Sequence, residues 1–555
     1  MNENEHHDTP HVGLEDRPTP GANRRGFLRN SLASSLGFVS AGMVGGLGMV
    51  ANRAEAMGVI QIPPLVRRTQ QALTQRVQRA IANLTATVPA QARNQDEALP
   101  GFYASYSKGL PHTALGEVEP AAFQAFLKAL QSGKNEDYNL VPMGGTAKQI
   151  SPQASTAYQM EGQHSANLRL NPPPAFNSEQ RGAEMAEVYW MSLLRDVPFS
   201  QYGTDAVAAQ AIADLRRFTG FAQVNAQTLF RGITAGEKLG PYVSQFLWQT
   251  IPYGMTSITQ KYQAGTAGRE FMTSPAECLS IQRGIAPSQT LTLDGNPHYM
   301  RNGRDLAEYV HKDFSYQAFL NAALILLGYG GSAIDDNNPA KGYTNRAGFV
   351  TFGGPDVLSS VAQAAVLGLK AAWYQKWQEH RTLRPEVFAL RVHNTKTNAK
   401  TYPVEPKLLN SPVLNEVFTR HGSYCLPMAF AEGSPTHPSF PAGHAAIAGA
   451  CTTVLKAFFK ESFVVPNAVV ASDDGTTLNP LTGSTLTVGG ELDKLAANIA
   501  IGRNIAGVHY WSDGIDGLLL GEKVALAYLA DLRTTYTETF AGFSLTKFDG
   551  TTVTI

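Results

Sequence analysis

The sequence contains few cysteines, no excess of either charge and, after its first 57 residues, no long apolar run. Its three cysteines, Cys278, Cys425 and Cys451, lie far apart without a CxxC pair, which excludes a cysteine-rich metal site and allows one disulfide at most. Lysine plus arginine equals aspartate plus glutamate, so no overall field favours nucleic acid. We therefore expect buried cysteines, no nucleic-acid partner and an anion preference that is local.

The first 57 residues differ from the rest of the chain. Arg24 and Arg25 stand in "NRRGFLRN", an uncharged Gly/Ala/Ser-rich run covers residues 31–51, and an A-x-A cleavage pattern ends at Ala56. This segment resembles a twin-arginine export signal. It predicts a periplasmic or secreted mature protein with no stable membrane association. An uncleaved membrane anchor is the alternative, although the run barely reaches spanning length.

Helical periodicity dominates the mature chain. Apolar residues recur at steps of three and four, as in the stripe that runs from Val207 to Phe218 and the one from Leu306 to Phe314. Strand signals are confined to a Thr/Gly-rich stretch at 469–490 and to the last residues. The sequence predicts a mostly α protein of helix bundles with short β hairpins. The expected organisation is an export head at 1–57, an N-terminal helical domain at 58–355, a C-terminal helical catalytic domain at 356–540 and a short β tail at 541–555.

The first of three stretches that carry chemistry is "KAAWYQKWQEHRTLRPE", residues 370–386. The pattern predicts a helix from about Ser359 that carries Lys376 and ends near Arg384, because Pro385 disfavours α geometry in the residue before it. Two residues eight apart on a helix are roughly 12 Å apart along the axis and about 80° apart around it. Both cations can then reach one pocket. A solvated pair near a helix end is the plainer interpretation of these two residues alone.

The second stretch is "HPSFPAGHAAIAG", residues 437–449. Pro441, Ala442 and Gly443 indicate a helix start, where free main-chain N–H groups and the positive end of the helix dipole favour an anion. His444 would stand beside that anion and could exchange a proton near neutral pH. A capping or core histidine is the alternative.

The third stretch is "IGRNIAGVHYWSDGIDG", residues 501–517. Arg503 and His509 are about 120° apart on a straight helix, so they converge only where the chain bends, and Gly507 supplies a place to bend. Ser512 or Asp513 is the predicted N-cap of the next helix. Asp513 is also placed to hold one ring nitrogen of His509, which fixes the tautomer and leaves the other nitrogen as a ligand or nucleophile. A purely structural Arg–His pair is the alternative.

Together the three stretches provide fixed cations, a helix-terminus donor and two imidazoles. We predict that they enclose a tetrahedral oxyanion that becomes trigonal bipyramidal, with His509 bonded axially to its central atom and His444 serving the opposite oxygen. The predicted set is Lys376, Arg384, Arg503, Gly443, His444 and His509.

The order K…RP, P-S-x-x-x-G-H, G-R-x5-H-x3-D resembles the acid phosphatase and vanadium haloperoxidase superfamily. Seven residues separate Lys376 from Arg384, as in the bromoperoxidase type, whereas the phosphatases have six. Trp373, the run "KWQEHRTLRPE" with His380, and His437 are also similar to that branch. The resemblance covers most of the chain after about residue 95.

The resemblance implies a vanadate cofactor, with hydrogen peroxide, a halide and a small organic acceptor as substrates. It implies bromide or iodide rather than chloride, and a homodimer or higher oligomer. Lys376, Arg384, Gly443 and Arg503 would hydrogen-bond vanadate oxygens, His509 would coordinate vanadium, and His444 would be the acid/base group. Lys376 would be the main electrophilic aid. The residues expected around them are His437, Trp373, His380 and Asp513.

Ala442 departs from the family pattern, which usually has serine before the Gly-His pair. Loss of one hydrogen bond to a charged group would weaken vanadate binding by roughly 1.5–3 kcal/mol. Two other functions stay open at this point. A secreted acid phosphatase would use the same pocket with a phosphorylated histidine, and a paralogue without catalysis would only bind the oxyanion.

Overall fold

The structure is a computed structural model that describes residues 63–555. The predicted export signal and its cleavage site therefore lie outside the described residues. The chain divides into two compact units, residues 1–77 and 78–555, and the described part of the first is the beginning of one helix. The candidate site lies within the second unit. The predicted boundary between residues 355 and 356 stays a prediction.

The described residues form helices joined by long loops and short hairpins. The α-helices are α1 (Pro63–Thr85), α2 (Pro120–Ser132), α3 (Asn135–Asn139), α4 (Glu179–Leu193), α5 (Ala206–Leu215), α6 (Pro275–Gln282), α7 (Gly303–Lys312), α8 (Gln317–Gly328), α9 (Gly354–Tyr374), α10 (Pro385–Lys396), α11 (Pro406–Leu409), α12 (Pro412–His421), α13 (Gly443–Phe458), α14 (Val488–Ile505) and α15 (Trp511–Thr535). The strands are β1 (Ile251–Tyr253), β2 (Thr256–Ile258), β3 (Val469–Ala471), β4 (Leu478–Pro480), β5 (Ser544–Thr546) and β6 (Thr552–Thr554).

Helix α13 is the centre of the bundle that carries the site. It packs against α9, α14 and α15, and every one of its residues except His444 is buried. Its alanine- and glycine-rich sequence lets the neighbouring backbones approach closely: a methyl group at Gly521 of α15 would overlap the main chain of Ala446. The helix is therefore held rigidly, and its N-terminal end faces the cavity described below.

The prediction of a mostly α protein with short hairpins is confirmed. Strands β3 and β4 lie in the predicted Thr/Gly-rich stretch, and β5 pairs with β6 in the tail. The antiparallel pair β1–β2, in register Ile251↔Ile258, was not predicted because three-residue strands are too short for alternation to show. The predicted stripes end too late, since Phe218 and Phe314 lie beyond α5 and α7.

The three cysteines are buried, as predicted, and none of them forms a disulfide. None of the helices in residues 63–555 is long and apolar enough to cross a membrane.

Candidate active site

A cavity of about 800 Å³ opens at the N-terminal end of α13. All three predicted stretches supply residues that line it, and the first also contributes two cations buried beneath it. The predicted site residues in its lining are Trp373, His437, Gly443, His444, Arg503 and His509. The cations beneath it, Lys376 and Arg384, are fully buried.

Lys376 lies in a π-helical turn, Gln375–His380, that continues directly from α9. The predicted α-helix to near Arg384 is therefore wrong in its last turns. Helix α9 ends at Tyr374, the π turn ends at His380, and Arg384 is the N-cap of α10, in which Pro385 is the first residue. A π turn inserts one residue and redirects the side chains after it, so the straight-helix separation of the two cations does not apply.

Arg384 donates hydrogen bonds to residues of the other two stretches. One of its terminal nitrogens, Nη1, donates to the main-chain oxygen of Val508 at 2.6 Å and to Nε2 of His509 at 3.0 Å. Its other terminal nitrogen, Nη2, donates to Nδ1 of His437 at 3.0 Å, and Nε donates to the main-chain oxygen of the same histidine at 3.0 Å. The guanidinium is thereby fixed in orientation before any ligand arrives.

The other two cations are also held by main-chain oxygens. Lys376 Nζ donates to Pro438 and Ser439 at 2.6 Å each. Arg503 Nη1 donates to Val310 at 2.7 Å, while its buried Nε has no partner among the described residues. Carbonyl dipoles orient these charges without cancelling them. The cavity floor is therefore strongly positive.

Burial and mutual repulsion lower the pKa values of these groups. Burial, then the nearby Arg384 charge, places the pKa of Lys376 well below its usual value and that of Arg503 at about 10. The same causes lower the pKa values of His509 and His437, which are therefore neutral at pH 7. A bound anion would offset this repulsion, so the floor favours one.

His509 follows the bend that the sequence predicts. Helix α14 ends at Ile505, and Gly507 has a positive φ of 89° that glycine adopts readily. His509 Nδ1 donates to Asp513 Oδ2 at 2.8 Å, and its Nε2 accepts from Arg384, which assigns the tautomer. The predicted N-cap is wrong: Tyr510 caps α15, and Asp513 is its third helical residue, accepting the N–H of Tyr510 at 3.2 Å.

His444 occupies the first turn of α13, and its Nε2 lies 3.0 Å from Oδ1 of Asp313. Its side chain is 26% exposed, so it alone of the two predicted reactive imidazoles is open to solvent. Ala442 caps the helix without a side-chain hydrogen bond, and its N–H donates to the main-chain oxygen of Asp513 at 2.8 Å. The first N–H groups of α13 have no partner inside the helix.

The remaining predicted residues divide into two groups. Trp373 lies with its ring centroid 4.8 Å from that of His437, and both line the cavity. His380 does not line it. It packs edge-on against Phe440 and lines a separate hollow of about 260 Å³ that includes Glu97.

Three contributors were missed from sequence. Ser439 donates to the carboxylate of Asp513 and belongs to the quoted P-S-x-x-x-G-H pattern, which could have identified it. Asp313 comes from the end of α7, and no motif marks it. Lys108 lines the cavity wall, where its Nζ donates to the main-chain oxygens of Glu432 and Ser434 at 2.7 and 2.5 Å.

The arrangement fits an oxyanion rather than a cation. Three cationic side chains lie at or beneath the cavity floor, one of them Arg503 with a buried Nε that has no partner among the described residues, and α13 begins at the same place. Within residues 63–555 no cluster of three or more His, Cys, Asp or Glu side chains could hold a metal ion directly. One neutral imidazole nitrogen, Nε2 of His509, is available as a ligand once a bound group displaces its bond from Arg384.

Comparisons with known proteins agree on one family. Residues 357–537 match the family model described as the VCPO second helical-bundle domain. The chain is 34% identical to the vanadium-dependent bromoperoxidase of Corallina pilulifera, over 83% of this chain and 92% of that protein. It is also 34% identical to the vanadium-dependent bromoperoxidase of Ascophyllum nodosum, over 86% of this chain and 90% of that protein.

A solved structure has the same fold. The homohexameric structure of the second vanadate-dependent bromoperoxidase from Ascophyllum nodosum superposes with a TM-score of 0.82 at 30% sequence identity. The superposition covers 87% of this chain and 90% of that one.

Proposed function

This chain belongs to the vanadium-dependent bromoperoxidases, and we propose that it oxidises bromide and iodide in preference to chloride. It is a peroxidase that uses hydrogen peroxide and a vanadate cofactor to convert halide to hypohalous acid. The halide preference is proposed from the bromoperoxidase relatives. The observation that carries the vanadate site is the position of Arg384, which bonds His509 and His437 at once and so fixes the floor of the cavity.

Vanadate, when bound, supplies a Lewis acid that binds and activates peroxide. We assign its oxygens to Lys376, Arg384, Arg503 and the N–H of Gly443, and its central atom to Nε2 of His509. Asp513 and Ser439 hold His509 from behind, because the imidazole Nδ1–H and the serine hydroxyl both donate to one carboxylate oxygen. With vanadate bound, the fixed cations would stabilise negative charge on its oxygens and would need little rearrangement to do so.

His444 exchanges the protons. It is the exposed imidazole on the side of the cavity opposite His509 in the proposed geometry, and Asp313 orients its ring. The histidine would accept a proton from incoming peroxide and return it to the departing oxygen. His437 is neutral, and it faces the same cavity beside Trp373. We propose that His437 influences where the halide binds.

The deciding experiment uses the mature protein freed of phosphate and reconstituted with vanadate. Bromide- and iodide-dependent halogenation of an organic acceptor is measured with peroxide, beside chloride, and hydrolysis of p-nitrophenyl phosphate is measured without vanadate. We expect halogenation with bromide and iodide. Hydrolysis without any halogenation would instead identify an acid phosphatase, and vanadate binding with neither activity would identify a binding paralogue.

We also propose an oligomer, a homodimer or a higher assembly, since a similar protein is homohexameric. Sedimentation of the purified protein tests this. Export through the twin-arginine pathway is proposed from Arg24 and Arg25. Replacement of both by lysine should retain the protein in the cytoplasm, as measured by fractionation.

A further inference from the structure

We propose that Trp373 is a site of self-halogenation: in the absence of an organic acceptor, the oxidised halogen formed in the cavity reacts with its indole ring. This inference rests on the proposed function. It adds a modification site, and modification there shortens the time for which the enzyme stays active during turnover.

Trp373 lies beside the proposed vanadate site. The six-membered ring of Trp373 lies directly over the start of α13, where its Cζ3 is 3.1 Å from the point at which a Cβ on Gly443 would stand. The N–H of Gly443 is one of the proposed vanadate donors. The indole nitrogen donates to the main-chain oxygen of Ile150 at 3.2 Å, which fixes the ring in the cavity wall. An oxidant formed on the floor therefore meets this ring before it reaches solvent.

Few other side chains of the cavity lining compete with Trp373 for an oxidised halogen. The described lining of the cavity contains no methionine, cysteine or tyrosine, so Trp373 is its one strongly electron-rich side chain. Phe430 carries an unactivated ring. The histidine rings of the lining are less electron-rich than an indole, and Lys108 Nζ is engaged with two carbonyl oxygens. Lys312 also lines the cavity, but bromine bound to an amine nitrogen passes on to other acceptors, whereas bromine on an indole carbon stays.

The step balances without any further reagent. A ring carbon of the indole attacks the bromine of hypobromous acid, a carbon–bromine bond forms, and the oxygen–bromine bond breaks. The ring hydrogen leaves as a proton and joins the departing hydroxide as water. The products are one bromoindole and one water for each hypobromous acid consumed.

The chain contains its own controls. Trp377, one helical turn further on, is 0% exposed, as is Trp190. Trp511 is partly exposed but lines a different hollow of about 210 Å³. Outside the cavity, Met255 and Tyr158 are highly exposed, at 106% and 72%, and they would be the first targets of oxidant free in solution.

The experiment adds hydrogen peroxide in small portions to the vanadate-loaded enzyme with bromide and no acceptor, and locates bromine by peptide mass spectrometry. We expect the paired bromine isotopes on the peptide of Trp373 before any change at Trp511, Tyr158 or Met255. Reagent hypobromite added from outside should give the reverse order. The Trp373→Phe variant, checked for folding by circular dichroism, should lose the mark and keep its activity for longer during turnover without acceptor.

Two results separate failure of the inference from failure of the function. Acceptor bromination at a normal rate, with Trp373 unmodified or modified only after Met255 and Tyr158, would overturn the self-halogenation site alone. Absence of bromination on both acceptor and protein would overturn the peroxidase function and this site with it.

Discussion

The floor and the rim of the cavity are built differently. The floor comprises Lys376, Arg384, Arg503, Gly443 and His509. Its charged groups are buried and bonded mainly to main-chain oxygens and ring nitrogens. The rim comprises two carboxylate–imidazole pairs, Asp313 with His444 and Glu432 with His311. The side chain of Asp313 is buried, and the other three are partly open to solvent. The floor can therefore hold an anion in one fixed geometry, while the rim can exchange protons.

The chain thereby separates two tasks that conflict. Cations with depressed pKa values must stay dry to act strongly on an anion. A proton-exchanging group needs access to water. His509 lies buried in the floor and His444 is partly open at the rim, so the same residue type can meet both demands. Each prediction below tests whether the two regions are as separate as this.

The largest expected effect is on the floor. His509→Ala should weaken vanadate binding by more than about 100-fold, because even residues that only orient a metal ligand commonly cost 10–100-fold. Equilibrium dialysis against vanadate measures it. Folding should persist, as judged by the thermal midpoint without vanadate. Retention of vanadate near the parent affinity would place the ligand elsewhere.

The next effect belongs to the rim. His444→Ala should lower kcat about 100-fold, the ordinary contribution of a positioned acid/base group, and change vanadate affinity by less than about tenfold. Asp313→Asn serves as a companion that keeps the imidazole but removes its carboxylate partner, with a smaller loss of kcat expected. If His444→Ala released vanadate as completely as His509→Ala, the floor and the rim would be one functional unit.

A gain of affinity is expected at the floor's one departure from the family pattern. Ala442→Ser should tighten vanadate binding about tenfold, since a serine at the N-cap can accept a helix N–H and donate its hydroxyl hydrogen to a vanadate oxygen. The thermal midpoint of the vanadate-free variant separates helix capping from anion binding. Unchanged affinity would mean that Ala442 stands too far from the anion.

The smallest effect is a pH dependence at the rim. Burial opposes charge on His311, but its hydrogen bonds with Glu308 and Glu432 outweigh burial and raise its pKa above 6.5. The stability that this pair contributes is therefore complete below pH 6.5 and is lost as pH rises through the raised value. Glu432→Gln should lower the pKa of His311 in an NMR titration and reduce stability by less than about 1 kcal/mol below pH 6.5. If the pKa of His311 stayed unchanged in this variant, Glu432 would not be its hydrogen-bond partner.

Much of the floor could be predicted because it is local. Its residues lie at helix ends marked by proline or glycine, as at Pro385, Gly443 and Gly507. Proline restricts the backbone and glycine permits a sharp turn, so both residue types indicate a helix end from sequence alone. The π turn after α9 could not be predicted, because α and π geometry differ by a single inserted residue that packing selects. The same turn directs His380 to another hollow, and its predicted place around the site stays a prediction.

By itself, the sequence determined that this chain is mostly helical and that three stretches carry an oxyanion chemistry, because periodicity, helix-end residues and short motifs act over a few residues. Only the tertiary structure decided which side chains meet. Asp313 reaches His444, Lys108 reaches the wall and Trp373 covers the start of α13 through packing between segments far apart in sequence. Such contacts depend on how the helices pack as a whole, and no local pattern encodes them.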